Sequence, residues 1–163
     1  MVKQRDLVTM TADEVTAMLA AARKVQLATI NPDGSPHLVT MYYVLMGGQI
    51  TFWTYRSSQK ARNLARDPRV TCLVESGELY FDLRGVQVRG TAELIEDPPA
   101  VREIGRRVAA GMAGLPGGVP GGATGTGALE AYVEHAARKR VGFSVRPDRV
   151  ISWDHSRLPG AAG

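Results

Sequence analysis

A single cysteine, Cys72, stands in a chain of 163 residues, so no internal disulfide framework can form. That usage fits a reducing cytoplasm, which is the compartment expected. Cys72 lies in the apolar run Val70 to Val74, where a small buried side chain is expected rather than a nucleophile. Histidine is scarce too. His37, His135 and His155 are far apart and have no cysteines or acids at ligand spacing, which argues against a metal centre. No apolar stretch approaches the roughly 20 residues of a membrane span. The opening MVKQRDLVTM lacks the apolar core of a signal peptide. Aromatic residues make up only 6% of the chain. They do not interleave with a basic stripe as single-strand nucleic-acid binding requires, for Trp53 and Tyr55 sit beside one helix start only. The formal charge of +4 is scattered along the chain, which favours small anionic ligands over nucleic acid.

What is present suits one globular domain over residues 1–163. With 44% hydrophobic and 22% charged residues, the chain is long enough to bury a real core. Its organising stretch is Ile50 to Val74, read as strand, short cationic helix, strand. Thr54 and Tyr55 close the first strand, and Ser57 or Ser58 can cap the helix. A helix start carries partial positive charge and usually attracts acids. Here Arg56 precedes it, Lys60 sits in the first turn, and Arg62 and Arg66 follow, with no acid before Asp67-Pro68. Cations, hydroxyls and free N–H groups gathered at one helix start suit a phosphate. The competing reading is a short solvated helix with arbitrary surface charge.

Around this stretch the chain reads in order. Residues 1–10 are expected to be a loose arm. Thr11 to Glu14 is a capping box, and a helix follows to about Arg23. Strands are expected at Val25–Asn31, Pro36–Leu45, Gln49–Tyr55 and Arg69–Glu75, with Pro32 to Ser35 and Gly47-Gly48 as turns. A long strand is expected at Leu79–Glu96, containing Gly85 and Gly90 as marks of a bulge or of close approach. Asp97-Pro98 starts a helix to about Met112. Residues 114–127 read as a flexible glycine-rich loop, either a lid or a plain insertion. Ala128–Arg138 is a further helix, Val141–Val145 and Val150–Trp153 are two last strands, and 160–163 a frayed tail. Six strands or more, mostly joined by tight turns, predict a small antiparallel barrel with flanking helices.

Several motifs fail. Ser57 to Lys60 spells Ser-x-x-Lys, but the partner motifs of the acyl-transfer enzymes that use it are absent. The glycine loop lacks the dinucleotide spacing. Asp154-His155 reads as a surface pair.

LATINPDGSPHLVTMYYV, FWTYRSSQKARNLARDPRV, LRGVQVRGTAELIED and KRVGFSVRPDRVISWDHSRL together resemble the flavin- and deazaflavin-binding split β-barrel proteins, relatives of pyridoxamine 5′-phosphate oxidase. The likeness covers about residues 12–158 and is nearest the actinobacterial branch that uses the deazaflavin coenzyme F-420. It implies a homodimer with two cofactor sites at the subunit interface. Leu38, Val39, Thr40 and Met41 would lie against the ring system through their backbone. Trp53 and Thr54 would sit near the ribityl chain. Arg56, Ser57, Ser58 and Lys60 would grip the phosphate, with Asn63 nearby. Arg84, Gly85 and Val86 would line the cofactor, and Trp153 would reach the site from the neighbouring subunit. The oxidase has a glutamine where this chain has Gly85, which leaves space for a different cofactor or pose than FMN.

The resemblance implies hydride transfer from reduced F-420 to a small electron-poor acceptor, with His37, Tyr42 and Tyr43 as candidate proton donors. Adjacent strand residues point to opposite sides, so the two tyrosines cannot both serve. An FMN-dependent oxidoreductase and a non-enzymatic F-420 carrier are the alternatives.

Overall fold

Alternation of burial along the strands dictates a one-sided sheet. In Lys24–Ile30 (β1), Val25, Leu27 and Thr29 are buried, and in Arg69–Ser76 (β5), Val70, Cys72 and Val74 are. A period of two puts each set on one face. The computed structural model describes residues 4–161. The remaining strands are β2 (Pro36–Tyr42), β3 (Val44–Met46), β4 (Gln49–Tyr55), β6 (Arg84–Ile95) and β7 (Arg140–Asp154). All seven pair antiparallel in the order β2-β1-β5-β6-β7-β4-β3 and curl into a half-barrel. Inside it Phe52 and Phe143 stack at 5.6 Å, among Leu27, Cys72, Val86 and Val88. Two helices close the interior. Ala12–Ala21 (α2, after the short α1 at Gln4–Val8) contributes Leu19, and Gln59–Arg66 (α3) contributes Ala61 and Leu64. The Thr11 capping box starts α2 as its sequence predicts.

The outer face of the sheet has two parts. Pro98–Ala113 (α4) and Thr126–Ala137 (α5) cover the β4 side, where Trp53 packs among Val101, Ile104 and Val108. Gly105 lets α4 approach: a Cβ there would fall 2.4 Å from the Trp53 ring. No described helix covers the other part, from β2 across β1, β5 and β6 to the end of β7. Leu38 is 67% exposed on it.

Five expectations need correction. The strand expected over Pro36–Leu45 divides at Tyr43, whose N–H donates to the Arg23 carbonyl and whose hydroxyl donates to the Leu19 carbonyl. Its two halves bond opposite ends of the sheet, so this break joins β2 to β3 and closes the curl. The strand expected from Leu79 begins at Arg84; Tyr80–Asp82 form a 3-10 turn in which Tyr80 packs on Phe81 and His155. The two last strands are one, β7. Its Pro147, which has no N–H to give, is accommodated at a bulge opposite Arg89-Gly90. The arm is not loose over its described part: α1 and the residues after it bury Val8 and Met10, and Met10 N–H donates to Ser152 Oγ at 3.1 Å. The glycine-rich loop carries an anchor, Val119, buried against Ala109 and Val133, and α5 already begins at Thr126. At the tail the Ala161 N–H donates to the Leu158 carbonyl. Residues 1–3 of the expected arm and 162–163 of the expected tail lie outside the described residues.

Candidate functional site at the start of helix α3

β4 delivers the chain to α3 through the turn Arg56 to Ser58. The Arg56 N–H donates to the Lys139 carbonyl, and the Ser58 N–H to the Tyr55 carbonyl, each at 3.0 Å. Ser58 is the N-cap. Its Oγ accepts from the Ala61 N–H at 3.3 Å and shares a hydrogen bond with Thr54 Oγ1 at 3.2 Å. The first amides of α3 have no partner within the helix, as at any helix start. Ser57 is exposed beside them.

Charge here is not balanced. Arg56 pairs with Glu96 across an exposed contact. Lys60 forms no ion pair among the described residues, and burial first, then the Arg140 charge, hold its amine below the usual lysine range. The Arg140 guanidinium is clamped between two rings, 4.5 Å from the Trp53 centroid and 4.3 Å from that of Tyr55. Its Nε is enclosed and meets no acceptor. Two neighbouring cations, a serine cap and open helix amides thus share one corner without a carboxylate for Lys60 or Arg140. An anion relieves both the repulsion and the unmet hydrogen bonds.

Asn63 is not free to join them. It is fully buried, its amide nitrogen donates to Thr29 Oγ1 at 3.1 Å and Asn31 Oδ1 at 3.0 Å, and its oxygen accepts from Gln59 at 2.9 Å. Its work is to fasten α3 to β1. Arg140 is the residue that sequence reading misses, because only the pairing of Tyr55 with Arg140 across β4 and β7 brings it here.

The other expected site residues fall elsewhere. On β2, Val39 and Met41 pack against the core, while Leu38 and Thr40 point outward; β2 ends the sheet, so one edge of its backbone carries no described strand. Val86 is buried in the barrel core. Arg84 pairs with Asp154 at 3.1 Å. Gly85 does not leave space for a cofactor: it lies opposite Trp153, and a Cβ on it would fall 2.1 Å from that indole. Trp153 therefore fills the place of the missing side chain within its own chain. Roughly 40 Å of strand separates it from Arg140, at about 3.3 Å per residue. One chain gathers Trp53, Thr54, Arg56, Ser57, Ser58 and Lys60 and keeps Arg84 to Val86 and Trp153 apart from them. Of the candidate proton donors, Tyr43 is buried with its hydroxyl committed to Leu19, and Tyr42 packs toward the Trp53 cluster. His37 stays partly exposed on β2. Among the described residues no three metal-ligating side chains cluster, and no helix is long and apolar enough to cross a membrane.

Residues 11–154 match the family model described as pyridoxamine 5′-phosphate oxidase. No curated protein matches the chain. Among solved structures, the chain is similar to a conserved hypothetical protein, Rv2991, from Mycobacterium tuberculosis, at 39% identity over 97% of this chain and 94% of that one, with a TM-score of 0.83. It is similar in fold to a protein described as an F420 reductase, at 24% identity over 82% of this chain and 93% of that one, with a TM-score of 0.61. A FAD-binding protein from Mesorhizobium loti shares the fold at 21% identity over 88% and 94%, with a TM-score of 0.65.

Proposed function

We propose that this chain, which belongs to the pyridoxamine 5′-phosphate oxidase family, binds coenzyme F-420 by its phosphate at the start of α3 and serves as an oxidoreductase acting on a small electron-poor acceptor. The observation that carries the reading is the pair Lys60 and Arg140, two adjacent cations without counter-charge at an open helix start. Lys60 and the α3 amides would hold the phosphate oxygens, Ser58 would keep those amides aligned, and Trp53 and Tyr55 would hold the Arg140 fork in place. The residues fit a phosphate group, and neither FMN nor F-420 is favoured by this corner alone. The choice of F-420 rests on Trp153 filling the position where the oxidase carries its flavin-contacting glutamine, and on the fold shared with a protein described as an F420 reductase.

When bound and reduced, a deazaflavin supplies a hydride. The protein's part is binding, orientation and exclusion of water. His37 is the proton donor that the packing leaves available. We further propose that two copies complete the site. The uncovered outer face and the distance along β7 between Arg140 and Trp153 both support a homodimer in which each copy supplies what the other holds too far away.

The test is an equilibrium titration of the purified protein with F-420 and, separately, with FMN, followed by cofactor fluorescence. Tight F-420 binding with weak FMN binding is expected. The reverse result would move the protein to the FMN-dependent oxidoreductases, and binding of neither would remove the phosphate site. Turnover with a panel of unsaturated acceptors then separates an enzyme from an F-420 carrier, which needs the same grip.

A further inference from the structure

Lys60 is set apart from the other described lysines by its surroundings. Lys24 opens β1 and Lys139 lies in the turn before β7, and both are exposed. Lys60, the second residue of α3, is half-buried and forms no ion pair among the described residues. Burial and the Arg140 charge both disfavour its protonated form. Desolvation and a neighbouring cation are the two conditions that make a lysine amine nucleophilic. The same corner attracts anions. Arg140 is clamped between Trp53 and Tyr55 with its enclosed Nε unmet, and the first amides of α3 are open. A nucleophile inside an anion-binding corner selects electrophiles that carry a phosphate.

We propose that Lys60 is a site of acylation by small acyl phosphates, and that the modification closes the start of α3 to phosphates. The phosphate of the reagent docks on the α3 amides and Arg140. Its acyl carbon, one oxygen away from phosphorus, then lies beside the Lys60 amine. The amine nitrogen forms a bond to that carbon, and the bond from the carbon to the bridging oxygen breaks. Inorganic phosphate leaves with the electron pair, and the amine proton passes to water. The donors that held the phosphate also meet the charge that develops as it leaves. The product amide has lost the Lys60 charge, and the acyl group occupies the corner. The reagent needs no surface beyond the one a cofactor phosphate must itself reach, so a second copy that admits the cofactor admits the reagent. The inference rests on reading the α3 start as a phosphate site, not on which cofactor brings the phosphate.

The test treats the purified full chain, free of cofactor, with rising acetyl phosphate at mildly alkaline pH. Peptide mass spectrometry reads the acetylation rate at each lysine. The expected Lys60 rate saturates with reagent and, at low reagent, exceeds the rates at Lys24 and Lys139 roughly tenfold. Inorganic phosphate lowers the Lys60 rate alone. Acetic anhydride, which carries no phosphate, shows no saturation at any lysine. Arg140→Gln removes the saturation at Lys60, and the competition by inorganic phosphate makes the same test without a variant. Protein acetylated at Lys60 binds its cofactor at least about tenfold more weakly. A Lys60 rate that is linear in acetyl phosphate, matches the exposed lysines or ignores inorganic phosphate would overturn the inference. So would acetylated protein of unchanged cofactor affinity. If F-420 or FMN binds while acetylation stays linear, this inference alone falls; if neither binds and Lys60 reacts like Lys24, the phosphate site falls with it.

Discussion

Lys60→Ala probes the cation excess at the start of α3. In the free protein the Lys60 amine is half-buried, stands near Arg140 and has no carboxylate to meet. A bound phosphate would turn this unfavourable setting into a charge-assisted hydrogen bond worth about 1.5–3 kcal/mol. Cofactor affinity is therefore expected to fall roughly ten- to 150-fold in the variant. The pH dependence has a definite sign. The free amine titrates below the 10.5 of an ordinary lysine, and a bound phosphate pulls it back up. Affinity is then full below the depressed value and declines as pH rises through it, whereas Lys60→Ala shows no such decline there. Stability of the free protein runs the opposite way. The fold disfavours the charged amine, so stability rises as pH passes upward through the depressed value. Fluorescence titrations of F-420 against wild type and variant, repeated across the alkaline range, read the first two effects. Equal affinities, or identical pH profiles, would refute the assignment of Lys60.

Three further outcomes follow from the same packing. Arg140→Gln is expected to weaken cofactor binding more than Arg56→Gln in the same titration, because Arg56 already spends its charge on Glu96. Gly85→Gln, which restores the residue of the oxidase, must displace the Trp153 indole; a loss of about 1–3 kcal/mol in urea unfolding is expected, largely recovered when Trp153→Ala is added. Asn63→Ala strips a buried amide of three hydrogen bonds; chemical denaturation should show a loss of about 1–3 kcal/mol, since Thr29 and its neighbours are left unmatched.

Much of this molecule is legible in local pattern. The Thr11 box, Asp97-Pro98, the two-residue alternation of β1 and β5, and the turn glycines depend on a few neighbouring residues, so their consequences are local. The cationic character of the helix start from Arg56 to Lys60 was readable for the same reason: a capped helix start and its cations occupy one turn. Tertiary structure decided what depends on distant partners. It split Pro36–Leu45 at Tyr43, because closing the curl exceeds the worth of a continuous strand there. It kept β7 whole past Pro147, because β7 could bulge at Asp148 opposite Arg89-Gly90. It turned Asn63 inward, filled the gap at Gly85 with Trp153, and brought Arg140 to Lys60 across a strand pairing that no spacing along the chain reveals. Residue types and short spacings are written in the sequence, but the counter-charge or ring that each side chain meets is chosen by register between strands far apart in the chain, and register exists only once the sheet has closed.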